Sequence, residues 1–202
     1  MINEFRLVDG KFIDLPLGFS VFCDLDGTLV DTDYANYLSY RKAVLEATSG
    51  IYDIDFSNER LNRESLKKRL PSLTAAQLKL ITSLKSEYFN GFLPVTCLNT
   101  DLADLITNYR GISPMILVTY CREIRAAEVL KHHELLECFN RLICREALLL
   151  GGSSNKYENA ITLMGLNREA ILVFEDDNIG IEQAIIAGVP SGNIYRVCSR
   201  LG

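Results

Sequence analysis

An α/β fold, with a parallel sheet flanked by helices and an all-helical insert after its first core strand, is what this sequence predicts. Three observations carry the expectation. Across 99–197, short apolar runs of four to six residues alternate with longer amphipathic segments, the pattern of βαβ units with right-handed crossovers. The apolar run 19–23 stops abruptly at Asp24-Leu25-Asp26-Gly27, as a buried strand does when it meets a turn. Between these regions, 33–96 carries helical stripes and capping signals and no strand pattern.

The elements follow in order. Residues 5–8 and 11–14 flank Asp9-Gly10, which suits a two-residue turn, so the leader reads as an added edge β-hairpin. Pro16 and Gly18 break the pattern before the strand 19–23. In the insert, Tyr34, Tyr37, Leu38, Val44 and Leu45 fall on one helical stripe that Gly50 ends. A second helix is expected over 58–70, stopped by Pro71. A third begins at Thr74, with Gln77 completing a capping box, and turns Leu78, Ile81, Leu84 and Tyr88 inward. From there the chain alternates: helix 101–109, strand 114–119, helix 122–132, strand 141–144, a helix from Lys156, strand 170–174, helix 178–187 and strand 193–197. Neither an internal repeat nor a low-complexity tract interrupts it.

Composition narrows the function. The 202 residues suit one ordinary domain plus a small insert, and 48% hydrophobic with 23% charged residues is a globular balance. A net charge of −5 argues against nucleic acid as the main partner. No apolar run reaches the length of a membrane span, and residues 1–6 lack the apolar region of a secretory signal. Six cysteines without a Cys-x-x-Cys pair argue against a disulfide framework or a zinc site. They suit core positions in a reducing, cytoplasmic compartment. Charge is uneven: 33–98 holds nine Lys and Arg against seven Asp and Glu, the remainder twelve against nineteen. Such asymmetry suggests separate roles for the two segments.

Four strand ends carry the chemistry. Asp24 and Asp26 sit at the carboxyl end of a parallel strand, where open α/β sheets keep their ligand crevice. Gly27 lets the chain bend there, so the two acids can present differently to one ligand. An isolated Asp-x-Asp-Gly serves equally well as a turn. Thr119 ends the second such strand; its hydroxyl suits a phosphoryl oxygen, or a helix N-cap. Lys156 follows Gly151-Gly152-Ser153-Ser154-Asn155 and reads alone as a solvated surface group. Glu175-Asp176-Asp177 closes the strand 170–174. Three adjacent acids there repel one another and lose hydration, which a bound cation relieves; a solvated acidic turn is the alternative.

Taken together, these four sites resemble the four motifs of the haloacid dehalogenase superfamily, mostly phosphatases and phosphomutases that work through a phospho-aspartate. The run from Asp24 to Thr32 resembles the first motif. The run Glu-Asp-Asp-Asn-Ile-Gly-Ile-Glu-Gln-Ala-Ile-Ile-Ala-Gly-Val, from Glu175 to Val189, resembles the fourth in the subfamily with a helical cap after motif one. That subfamily includes phosphoglycolate phosphatases and β-phosphoglucomutases. The resemblance spans 19–197 and implies a Rossmann-like catalytic core over 1–32 and 97–202, with a helical cap over 33–96.

The function it implies is a magnesium-dependent phosphatase of small phosphorylated metabolites, acting as a monomer or dimer. Asp24 is the implied nucleophile and Asp26 the acid, then base. The implied Mg2+ ligands are the Asp24 side chain, the Asp26 backbone carbonyl and Asp176, with Glu175 or Asp177 supporting the ion from behind them. Thr119 and Lys156 would bind the phosphoryl oxygens. In the basic stretch of the cap, Arg63 is a candidate contact for a substrate anion. The carboxylate at Asp26 argues against a true dehalogenase, because displacing halide needs no acid there.

Departures from the family pattern bear on the substrate. Asn36 stands where β-phosphoglucomutases carry a His, which weakens the alternative of a phosphomutase. Tyr157-Glu158-Asn159 replaces a common Pro-x-Pro, and Tyr120-Cys121 follows Thr119 where a small residue or Asn is usual. His132 and His133 lie late in a helix, where its dipole accounts for them. A non-catalytic phospho-acceptor module, like a response-regulator receiver, is the alternative from another class. Receivers place the acidic pair and the acceptor Asp on different strands and lack a helical insert, so the order found here favours an enzyme.

Overall fold

In the computed structural model, which describes residues 2–5, 15–57 and 60–198, the apolar runs form a six-stranded sheet whose pairings are all parallel. Its strands are β1 (Asn3–Phe5), β2 (Ser20–Cys23), β5 (Met115–Val118), β6 (Arg141–Ile143), β7 (Ile171–Glu175) and β8 (Ile194–Val197), while the short β3 (Val30–Asp31) and β4 (Cys97–Leu98) stand outside it. The spatial order is β1-β8-β7-β2-β5-β6. Residues 6–14, which hold all of the expected hairpin but Phe5, lie outside the described residues. What is described of the leader is β1, an edge strand running parallel to β8.

β2 sits centrally with β5 on one side and β7 on the other. All of its residues are buried, as the near-continuous apolar run of a strand covered on both faces requires. The register pairs Cys23 with both Leu117 and Phe174, so the three strands end level. Their carboxyl ends open at the point where the strand order reverses, the position of the ligand crevice in open α/β sheets.

The helices are α1 (Asp33–Ala47), α2 (Arg63–Arg69), α3 (Ala75–Tyr88), α4 (Thr100–Asn108), α5 (Glu123–His132), α6 (Arg145–Leu150), α7 (Lys156–Met164) and α8 (Asn178–Ile186). They divide between two compact units, residues 32–97 and residues 1–31 with 98–202. In the larger unit, Phe22, Ile116, Val173, Tyr157, Ile161 and Ile181 belong to one buried cluster that joins the sheet to α7 and α8. Its chain leaves after Leu29 and returns at an adjoining point: the Asn99 N–H donates to the Leu29 carbonyl (2.9 Å) and Asn99 Nδ2 to the Thr28 carbonyl (3.3 Å).

The helical unit corrects two expectations. On α1 the buried face is Ala35, Asn36, Ser39, Tyr40, Ala43 and Val44, not the stripe of larger residues, of which only Val44 is buried. Tyr40 and Val44 join Leu78 and Ile81 of α3 in one core. Tyr34 and Tyr37 instead stack on each other (5.9 Å between centroids) and meet Phe56 edge-on (5.4 and 5.2 Å). The second correction is the start of α2. It begins at Arg63 because Asn62 Oδ1 accepts from the Glu64 and Ser65 amides (2.8 and 3.0 Å) while Ser65 Oγ accepts from the Asn62 amide (2.8 Å). The Thr74–Gln77 capping box forms as expected, and α3 buries Leu78 and Ile81.

No helix among the described residues is long and apolar enough to cross a membrane. All six cysteines are free; Cys23, Cys121, Cys138 and Cys144 are buried, Cys97 and Cys198 exposed. Burial, with help from Glu123 and Glu146, pushes the Cys144 thiol up to about 12. A thiol-specific chromogenic reagent at pH 8 is therefore expected to titrate Cys97 and Cys198 in the native protein, and the remaining four only after denaturation.

Candidate active site

Three charged side chains converge at the crevice with almost no solvent contact: Asp24 is 6% exposed, Lys156 5% and Glu175 1%. Asp24 follows the last residue of β2, and its amide extends the ladder by donating to the Phe174 carbonyl (3.1 Å). Glu175 is the last residue of β7, and Lys156 the first of α7. The Lys156 ammonium lies 2.6 Å from Asp24 Oδ1 and 2.7 Å from Glu175 Oε2. Lys156 is thus a buried cation between two carboxylates rather than a solvated surface group.

Its position is set by the loop before it. Asn155 caps α7, its Oδ1 accepting from the Tyr157 and Glu158 amides (2.9 and 3.1 Å). Asn159 Nδ2 reaches back to the Leu148 and Ser153 carbonyls (3.0 and 2.7 Å). A Cβ on Gly151 would lie 2.4 Å from the Asn159 side chain, so the glycine admits this tie. The sequence Tyr157-Glu158-Asn159 therefore anchors the loop by hydrogen bonds.

Glu175 is satisfied entirely from within. Oε2 accepts from Tyr157 Oη (2.7 Å) as well as Lys156, and Oε1 accepts from the amides of Asp176 and Asp177 (3.2 Å each). A Cβ on Gly180 would stand 2.2 Å from Oε2, which explains a glycine inside α8. Asp176 is held differently. Its Oδ1 accepts from Thr28 Oγ1 (2.6 Å), and Thr28 Oγ1 accepts in turn from the Asp176 amide (3.0 Å). Gly27, at φ +92°, leaves room for that carboxylate, since a Cβ there would sit 2.3 Å from Asp176 Oδ2. Arg196 Nη1 donates to the Asp176 carbonyl (3.1 Å). One oxygen from each of Asp24, Glu175 and Asp176 lies within 4.8 Å of the others.

Burial pushes the Asp24 carboxyl up to about 7, and Glu175 and Asp26 add to the rise against the opposing pull of Lys156. For Lys156, burial alone would lower the ammonium; the two carboxylates outweigh it and hold the group above its ordinary range. Burial, then Glu175, drives the Tyr157 phenol far up, so it remains a donor to Glu175.

Asp26 points to a different partner, Arg125 of α5, whose Nη2 forms an ion pair with Oδ1. Thr119 is buried beyond the end of β5; its amide donates to the Ile143 carbonyl and its Oγ1 accepts from the Cys121 amide (3.1 Å each). Arg122, not Thr119, occupies the N-cap position of α5. The Thr119 hydroxyl keeps its own proton for a further acceptor.

The structure therefore assembles Asp24, Lys156, Glu175 and Asp176, with Asp26 two residues on and Thr119 at the end of an adjacent strand. Asp177 is exposed and caps α8 by accepting from the Ile179 amide (3.2 Å). Arg63 is exposed at the start of α2, in the helical unit. Sequence reasoning overlooked Arg125, Tyr157 and Arg196. Only Tyr157 left a trace, as an aromatic where the family pattern has proline.

The family model for haloacid dehalogenase-like hydrolases matches residues 21–194. The chain belongs to that family. Among curated proteins, no sequence matches. Solved structures share the fold at low identity. A structure described as a predicted phosphoglycolate phosphatase from Haemophilus somnus superimposes with a TM-score of 0.70 at 17% identity, covering 89% of this chain and 88% of that one. A haloacid dehalogenase-like family hydrolase from Streptococcus pneumoniae gives 0.64 at 17% identity, over 89% and 93%. β-Phosphoglucomutase from Clostridium difficile gives 0.61 at 19% identity, over 84% and 81%.

Replacing Lys156 by Met removes the cation and strands two buried carboxylates. Loss of one partner from a buried ion pair costs about 3–5 kcal/mol. Chemical denaturation of the metal-free variant is expected to show a loss of that order at pH 8. The loss shrinks near pH 5, because protonation of Asp24, whose carboxyl burial already raises, then removes part of the negative charge that the lysine no longer neutralises.

Proposed function

We propose that the chain is a magnesium-dependent phosphatase of small phosphorylated metabolites, working through an aspartyl-phosphate on Asp24. The observation that carries this reading is the buried Asp24–Lys156–Glu175 arrangement with Asp176 beside it. A carboxylate and a fixed cation in one crevice support the reading, because phosphoryl transfer needs a nucleophile and a positive charge together.

The donor set fits Mg2+, a hard cation that takes carboxylate and carbonyl oxygens. Because both Glu175 oxygens are committed internally, Asp24, Asp176 and the Asp26 carbonyl are the residues that would hold the ion. When bound, it supplies positive charge to the substrate phosphate. Glu175 then supports the site by holding Lys156 and the backbone that carries Asp176, while Asp177 serves α8.

The chain's own residues perform the steps. The Asp24 carboxylate attacks phosphorus as the P–O bond to the leaving group breaks, giving an acyl phosphate. Asp26 delivers a proton to the departing alkoxide and later takes one from the water that cleaves the acyl phosphate. Lys156 and the Thr119 hydroxyl stabilise the charge on the phosphoryl oxygens. In this reading residues 33–96 are the helical cap of the family, and Arg63 is its contact for the anionic part of a substrate. The six free cysteines support a reducing cytosol as the compartment.

Asp24→Asn is expected to keep the circular dichroism spectrum and abolish phosphate release from 4-nitrophenyl phosphate, because an amide cannot attack phosphorus. Chelation of Mg2+ should stop the wild-type reaction and its return restore it; turnover unchanged by either treatment overturns the proposal. A further expectation follows from the raised Asp24 carboxyl. A group near pH 7 binds a proton in the metal-free protein that a cation must expel. Calorimetric titration of Mg2+ at pH 6.5 in buffers of different ionisation enthalpy should record proton release, absent from the Asp24→Asn protein.

A further inference from the structure

Tyr120 follows Thr119 directly and is 47% exposed. Two observations set it apart from the other exposed apolar side chains on this unit, such as Ile124 and Ile179. Its hydroxyl is tied back into the protein: it donates to the Ser154 carbonyl (2.5 Å) and accepts from Gln183 Nε2 (3.3 Å). The ring is therefore held by the loop before α7 and by α8, and its orientation costs little to maintain when a ligand arrives. Second, the Lys156 ammonium lies over that ring, 5.9 Å from its centroid. This is the same ammonium that stands 2.6 Å from Asp24 Oδ1. The ring of Tyr157 is nearer to Lys156 (5.1 Å) but fully buried, so it can meet no ligand. Tyr120 is open and can.

We infer that Tyr120 is a specificity-determining residue, its ring the wall against which the leaving group packs. The favoured substrates are phosphate esters that carry a flat, ring-shaped apolar surface within one or two bonds of the ester oxygen. A group at that distance from a phosphoryl bound by Lys156 reaches the ring face, whereas a short polar chain gains nothing from it. Offset stacking on a tyrosine face rewards flat apolar surface specifically. The inference rests on the reading of Asp24 and Lys156 as the phosphoryl site. The hydroxyl also gives Tyr120 a second possible role, bracing the loop at Ser154, and the two roles separate by substitution: Tyr120→Phe removes the brace and keeps the ring, Tyr120→Leu removes both.

Methylphosphonate and phenylphosphonate differ by the ring alone and need no turnover. Their binding to the Mg2+-loaded protein, measured by isothermal titration calorimetry, tests the assignment. In the wild type, phenylphosphonate is expected to bind about tenfold more tightly, the scale of one good aromatic contact. Tyr120→Leu should bring the two ligands to within about twofold while methylphosphonate affinity holds, and Tyr120→Phe should keep the gap. Equal affinities in the wild type, or a gap lost as fully in Tyr120→Phe as in Tyr120→Leu, overturn the role of the ring. Failure of both phosphonates to bind removes the phosphoryl site itself and the inference with it. Binding of methylphosphonate without any gain from the phenyl group removes the inference alone.

Discussion

The Lys156 ammonium lies within hydrogen-bonding distance of two carboxylates and nearly out of reach of water. Each of the three charges would be expensive to bury alone, since desolvation of a single ion costs several kcal/mol even after relaxation. Held together they neutralise only in part: one positive charge faces two negative ones, with Asp176 adjacent. Such a site is weak evidence for stability, because an apolar replacement of the same shape is often no worse. What the arrangement supplies is a carboxylate held in a fixed place beside an excess of negative charge.

Much of the nearby sequence is explained by keeping this charge cluster in register. Asn155 and Asn159 fix the start of α7, Tyr157 supplies the second donor to Glu175, and Gly180 leaves the space Glu175 occupies. Thr28 and Gly27 do the same for Asp176 from the loop after β2. Level strand ends are the precondition, and they follow from the register of β5, β2 and β7. A shift of one residue along β2 would turn Asp24 away from the crevice, because side chains alternate along a strand.

Legibility in the sequence followed the range of each interaction. Strands such as β2, β5 and β7 announce themselves as buried apolar runs ending in acids or a hydroxyl, and the Thr74–Gln77 capping box is a local signal that the structure repeats. The face of α1 misled because aromatic and leucine side chains outweigh Ala35, Ser39 and Ala43 in any hydrophobic stripe, whereas the buried face is largely small residues. α2 starts later than the expected 58–70 because its cap is Asn62 with Ser65, a less familiar pair than Thr with Gln. The partners of Asp24, Asp26 and Asp176 lie 132, 99 and 148 residues away along the chain. Nothing local marks Arg125 for Asp26. The burial of Lys156, read from its neighbours alone, was hidden for the same reason.

The two hydrogen bonds from Asn99 to Leu29 and Thr28 fasten together the points where the polypeptide departs from the sheet-bearing unit and rejoins it. A segment of 66 residues, 32–97, is thereby strung between neighbouring anchor points. Closing a loop on such anchors depends only weakly on its length. The helical unit can therefore gain or lose length at little cost in closure entropy, while the sheet and the charge cluster at its strand ends keep their geometry.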